Sequence, residues 1–123
     1  MKSSTLLPLL QERDLACVWC GRGRDEYADW SVEHVLPTSR GGGSGIANLA
    51  LACSGCNHAR KSHPAADYAI KIARRVGAPT FTLLYEVFTR MQTQGTAKER
   101  EYARKQSVRL QDWDQQYQRW GMN

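Results

Sequence analysis

The chain has 123 residues, of which 41% are hydrophobic, and carries a formal charge of +5 at pH 7. That length bounds a single domain with a modest core, one that a bound metal would help to stabilise. The opening residues, with one lysine and a short apolar run interrupted by Pro8, lack the length of a membrane span and the build of a signal peptide, so the expectation is a soluble, cytoplasmic protein.

In chain order, Ser4 or Thr5 is placed to cap a first helix reaching Arg13, with Leu6, Leu7, Leu9 and Leu10 as its apolar side and Pro8 in its first turn. Residues 28–35 alternate about Trp30, Val32 and His34 as a strand does, and Pro37 with the glycines at 41, 42, 43 and 45 ends them in an irregular loop. Residues 46–52 are apolar enough for a second strand. Residues 57–63 read as a short helix stopped before Pro64, on which Asn57 and Lys61, four apart, share a face. Two strands and a helix make a compact ββα unit.

Beyond Pro64 the pattern becomes helical. Residues 66–76 form one candidate helix ended by Gly77, and residues 80–94 a second with Leu83, Leu84, Val87, Phe88 and Met91 on its apolar face. In residues 96–120, Ala103, Leu110, Trp113, Tyr117 and Trp120 approximate a heptad seam, interrupted by Glu99 and Gln106. This stripe is expected to pack within the chain, with a homodimer through these helices as the alternative. The chain therefore reads as α+β, with a core over residues 1–68 and a helical extension over residues 69–123.

The cysteines sharpen the picture. Cys17-Val-Trp-Cys20 and Cys53-Ser-Gly-Cys56 are each spaced so that both thiolates can turn onto one ion, and four thiolates complete the tetrahedral shell that structural zinc accepts. Two disulfides would be the reading for a secreted chain, and a redox dithiol gives no reason for two pairs. Zinc at Cys17, Cys20, Cys53 and Cys56 would clamp both ends of the ββα unit.

Between the pairs lie groups suited to phosphodiester hydrolysis, which needs a base for water, charge neutralisation at the phosphate and a group that orients the base. His34 is the candidate base, since neutral imidazole is available at cellular pH. Glu33 is the candidate carboxylate ligand of a divalent ion, Asn57 a second oxygen donor for a hard cation, and Asn48 the amide that fixes the imidazole. From His34 to Ala66 there is no Asp or Glu, while Arg40, His58, Arg60, Lys61 and His63 all fall in that stretch. A phosphate backbone would meet no like charge there.

These residues resemble the HNH endonuclease family, of the ββα-metal type with a cysteine-bound zinc. The resemblance covers about residues 14–68, through Cys17-x-x-Cys20-Gly21, Glu33-His34-Val35-x-Pro37-x-Ser39-Arg40-Gly41-Gly42, Asn48-Leu49 and Cys53-x-x-Cys56-Asn57-x-x-x-Lys61. It implies a metal-dependent DNA endonuclease that leaves a 3′-hydroxyl and a 5′-phosphate. His34 would be the general base, Asn48 its positioner, and Glu33 and Asn57 the ligands of a catalytic Mg²⁺ or Mn²⁺. Lys61, Arg40, Arg60 and His58 are the candidate DNA contacts, and His58 and His63 are alternative metal or phosphate contacts. Glu in place of the commoner Asp, and Asn in place of the commoner final His, make this an HNN version of the pattern. The rival reading is a zinc-stabilised DNA-binding or assembly module without turnover.

Overall fold

A computed structural model describes residues 3–119. Trp120, expected in the seam of the last helix, lies outside that range. The chain runs α1 (Ser3–Arg13), β1 (Trp30–His34), β2 (Leu49–Cys53), α2 (Ser54–Arg60), α3 (Ala65–Val76), α4 (Thr82–Gln94) and α5 (Ala97–Arg119). This is a mixed fold with a two-stranded antiparallel sheet, a small ββα core and C-terminal helices.

The hairpin sets the frame. β1 and β2 pair from Trp30 opposite Cys53 to His34 opposite Leu49, so one end of the ribbon meets the cysteines and the other carries the histidine. All five residues of Leu-Ala-Leu-Ala-Cys in β2 are buried, as a continuous apolar run requires. The edge of β2 away from β1 is also occupied. Asp14 Oδ2 accepts from the Leu51 amide at 2.9 Å, the Val18 amide donates to the Leu51 carbonyl at 2.9 Å, and Arg13 reaches the Leu49 carbonyl at 2.6 Å.

Three local departures from the sequence expectation have physical causes. α1 begins at Ser3, so Thr5 lies inside it and Pro8 falls beyond the first turn, where its missing N–H forgoes a helical bond. Residues 46–48 form a 3₁₀ turn rather than strand, which rolls the Asn48 side chain inward before β2 starts at Leu49. α2 starts earlier and ends at Arg60. Lys61 follows with φ 52° and ψ −128°, so Asn57 and Lys61 do not share a helical face.

The helices beyond Pro64 close over the hairpin. Gly77 ends α3 at φ +82°, a left-handed C-cap whose amide returns to Ala73 O. The stripe on α5 is spent inside the chain: Ala103 and Leu110 are fully buried, and Trp113 meets Phe81 edge-on at 5.8 Å and stacks with Tyr117 at 5.1 Å. Gln106, read as a flaw in the seam, accepts from the Ala66 amide at 2.8 Å, and Tyr117 donates to the Gly77 carbonyl at 2.9 Å. Buried apolar residues from Leu6 to Leu110 belong to one cluster. Among the described residues no helix is long and apolar enough to cross a membrane.

Candidate active site and metal centre

The four cysteines converge. Their sulfurs all lie within 4.8 Å of one another, and Cys20 Sγ is 3.9 Å from Cys53 Sγ. Zinc–sulfur bonds of about 2.3 Å imply a tetrahedral edge of about 3.8 Å, so the set has the dimensions of a zinc site as well as its donors. Crowding divides the thiols. Hydrogen bonds, first from Cys17 and then from Cys56, hold Cys20 far below the usual thiol range, while Cys17 is pushed up to about 12, first by its bond with Cys20. A cation shared among the four would relieve that competition.

At the opposite end of the hairpin, His34 is half-buried, with Nε2 3.1 Å from Ser44 Oγ. Burial pushes its pKa below the ordinary value, and the negative charge of Glu99 opposes that shift. Asn48 is completely buried, but its side chain does not reach the imidazole ring. Oδ1 accepts from the Leu36 amide at 2.8 Å, and Nδ2 donates to Leu36 O at 3.0 Å and Gly43 O at 2.9 Å. The expected contact with His34 is replaced by one with the backbone of the loop that follows it. That loop is drawn tight at Gly42, where an added Cβ would stand 1.8 Å from Leu36 O, so only glycine fits.

Glu33 departs furthest from expectation. Alternation along β1 turns Ser31 and Glu33 toward α2, away from the face of His34. Ser31 meets Ser54 Oγ at 3.0 Å, while Glu33 Oε2 accepts from Trp19 Nε1 at 2.9 Å and Oε1 pairs with Arg60 Nη1 at 3.3 Å. Glu33 is 5% exposed, and burial raises its pKa despite the opposing pull of Arg60 and Trp19. Both carboxylate oxygens are engaged, and Arg60 already supplies the positive charge that a divalent ion would bring. Asn57 is half-exposed on α2. As arranged, Glu33 and Asn57 do not form an open metal-binding pair.

The HNH endonuclease family model matches residues 17–63. That segment is similar to an HNH endonuclease domain, over less than half of the chain. No curated protein and no solved structure matches the chain.

Of the cations expected to face a phosphate backbone, the matched segment exposes some and buries one. Arg40 and Lys61 are exposed, and Arg40 is tied to the residue that follows Lys61: its Nε donates to the Ser62 carbonyl at 3.0 Å, and Ser39 meets Ser62 Oγ at 3.1 Å. His63 is exposed beside them, and His58 is exposed on α2. Arg60 is instead fully buried. It donates to His34 O at 2.9 Å, Val35 O at 2.7 Å and His63 O at 2.8 Å, and its guanidinium lies 5.0 Å over the Trp19 ring. An arginine with every direction occupied by the interior is no phosphate contact.

Sequence reasoning missed Ser44, Trp19, Tyr102 and Glu99. Tyr102 accepts from the Ala65 amide at 2.9 Å and from Arg60 Nη2 at 3.3 Å. Glu99 accepts from the Thr96 amide at 3.1 Å and from the Gly43 amide at 2.8 Å. A signal for Glu99 was present: Thr96-x-x-Glu99 is a capping box, the pattern that opens a helix.

Proposed function

We propose that the HNH-like segment hydrolyses DNA phosphodiester bonds with water activated by His34. The observation that carries this reading is His34 itself: half-exposed at the end of a strand, with one ring nitrogen on Ser44, in an HNH-like segment whose neighbouring surface presents Arg40, Lys61 and His63. In the proposed reaction Ser44 Oγ accepts from Nε2–H, which leaves the lone pair on Nδ1 to take a proton from the attacking water. Arg40 and Lys61 neutralise charge on the phosphate. The P–O bond to the 3′ oxygen breaks, and the family pattern implies a 3′-hydroxyl and a 5′-phosphate as products. Zinc at the four cysteines is structural in this reading. Mg²⁺ or Mn²⁺ is the catalytic ion that the family pattern implies, and the engaged state of Glu33 makes that requirement a matter for direct assay.

The test is incubation of the zinc-loaded protein with supercoiled, modified and single-stranded DNA in Mg²⁺, in Mn²⁺ and in EDTA. Cleavage is expected, with His34→Ala slowing it by about 10²-fold or more, the usual contribution of a general base, at unchanged zinc content. Because burial lowers the pKa of His34, the neutral base persists into mild acid, so the acid limb of kcat/KM is expected below the ordinary histidine value of about 6.5. Wild-type cleavage by His34→Ala would sink the assignment. A second reading, a DNA-binding or assembly module without turnover, is favoured by one observation, the neutralisation of Glu33 by Arg60. DNA binding with no cleavage under any of these ionic conditions would select it.

A further inference from the structure

The helix α5 lies wholly outside the matched segment, yet it reaches the histidine loop through a buried acid. Glu99 is 2% exposed and divides its two oxygens. Oε1 completes the capping box with Thr96, whose hydroxyl in turn accepts from the Glu99 amide at 3.2 Å. Capping needs no more than that. Oε2 instead reaches back 56 residues to accept from the Gly43 amide at 2.8 Å.

Gly43 is thereby held from both sides. Its carbonyl is taken by Asn48 Nδ2 and its amide by Glu99 Oε2, and the next residue is Ser44, which meets His34 Nε2. The fit is close. A Cβ at Gly43 would stand 3.2 Å from Glu99 Oε2, and one at Gly95, just before α5, would stand 2.4 Å from Met91 O and 3.0 Å from the Glu99 Cβ. One turn further along the same face, Tyr102 contacts Arg60, which donates to the His34 carbonyl. α5 is therefore tied to the backbone of His34 as well as to the loop facing its ring.

We propose that Glu99 is a positioning residue for His34, acting through the Gly43 amide to hold Ser44 where its hydroxyl accepts from Nε2–H and so keeps the imidazole lone pair on Nδ1. This rests on the reading of His34 as the base, and it assigns the helical extension a part in orienting that base. Glu is suited to the task because two N–H donors, Thr96 and Gly43, are met by two acceptor oxygens. Gln offers one acceptor oxygen, so it preserves shape while leaving one donor unmet.

The experiment compares Glu99→Ala, Glu99→Gln and Ser44→Ala with the wild type, all zinc-loaded. It reads kcat and KM for DNA cleavage and, separately, the His34 ring tautomer from ¹⁵N–¹H correlation spectra. Glu99→Ala is expected to lower kcat by about 10²-fold with KM little changed, as for a misplaced catalytic group, and to replace a single Nε2–H tautomer by a mixture. Glu99→Gln is expected to fall between it and the wild type. Ser44→Ala is expected to reproduce the tautomer mixture without disturbing α5. A zinc-loaded Glu99→Ala protein with wild-type kcat and an unchanged ring spectrum overturns the proposal. Should Glu99→Ala fail to fold, Glu99→Gln and Ser44→Ala decide, and unchanged spectra in both overturn it equally. The ring spectrum needs no turnover, so failure of the base assignment, seen as full activity in His34→Ala, is distinguished from failure of the positioning role.

Discussion

The two ends of the β-hairpin are held by different chemistry. At one end, where Trp30 pairs with Cys53, four sulfurs gather within 4.8 Å. At the other, where His34 pairs with Leu49, there is no cysteine. The loop is closed there by the amide of Asn48, the carboxylate of Glu99 and a glycine that tolerates no side chain. Five strand residues at about 3.4 Å each put the ends roughly 14 Å apart. The difference is one of chemistry: a four-cysteine cluster holds the end where β1 starts and β2 finishes, and a hydrogen-bond cradle that includes the Glu99 carboxylate holds the end that carries His34.

That contrast can be broken at either end. The largest effect is expected at the clamp. Cys53→Ser should abolish stoichiometric zinc and collapse thermal stability, because zinc binding in small domains is worth about 10 kcal/mol or more of folding free energy. Metal analysis with a melting curve checks it, and a zinc-free protein that melts as the wild type does would remove the clamp from the account.

Next is the pair that lies between the two ends. Glu33→Ala leaves Arg60 buried without its carboxylate, and an uncompensated buried charge costs about 3–5 kcal/mol. Denaturant titration should show that loss. A variant of unchanged stability that merely needs more Mg²⁺ would instead restore Glu33 as a metal ligand.

At the end that carries His34, Arg40→Ala should weaken DNA binding alike across sequences and lower the slope of log K against log salt by about 0.9, as loss of one phosphate contact does. Arg60→Ala should destabilise the fold, since Arg60 is fully buried. Identical binding and stability profiles for the two variants would erase the distinction between exposed and interior arginine.

The smallest effect is expected at Lys61, whose φ of 52° and ψ of −128° suit glycine rather than lysine. Lys61→Gly should gain about 1 kcal/mol by releasing that strain while weakening DNA binding. A loss of stability would mean that the lysine side chain outweighs its backbone.

How much of this was legible in the sequence varied with distance along the chain. The cysteine pairs, the alternation about Trp30 and the Gly77 stop are local patterns, and each corresponds to an element of the structure. Partner choice was less accessible. Nothing local distinguishes Arg60 from Arg40, because an arginine reads as exposed until a buried acid is known to face it. Asn48 was read as touching the ring because it stood near His34 in the pattern, whereas the 3₁₀ turn at residues 46–48 aims it at Leu36 and Gly43. Glu99 looked like a defect in an apolar stripe, since its second acceptor task depends on a glycine 56 residues earlier.

The covered edge of β2 has a consequence for solubility. Leu-Ala-Leu-Ala-Cys is an uncharged run without proline, the kind of segment that recruits a copy of itself when its backbone donors and acceptors are free. Here Asp14 and Val18 occupy that edge, and Val18 sits immediately after Cys17, the first of the four clustered cysteines. Stripping the metal would loosen the cover together with the clamp. Turbidity from strand pairing between molecules would then precede the melting of α3 to α5, so a metal held by the four cysteines would guard the chain against aggregation as well as unfolding.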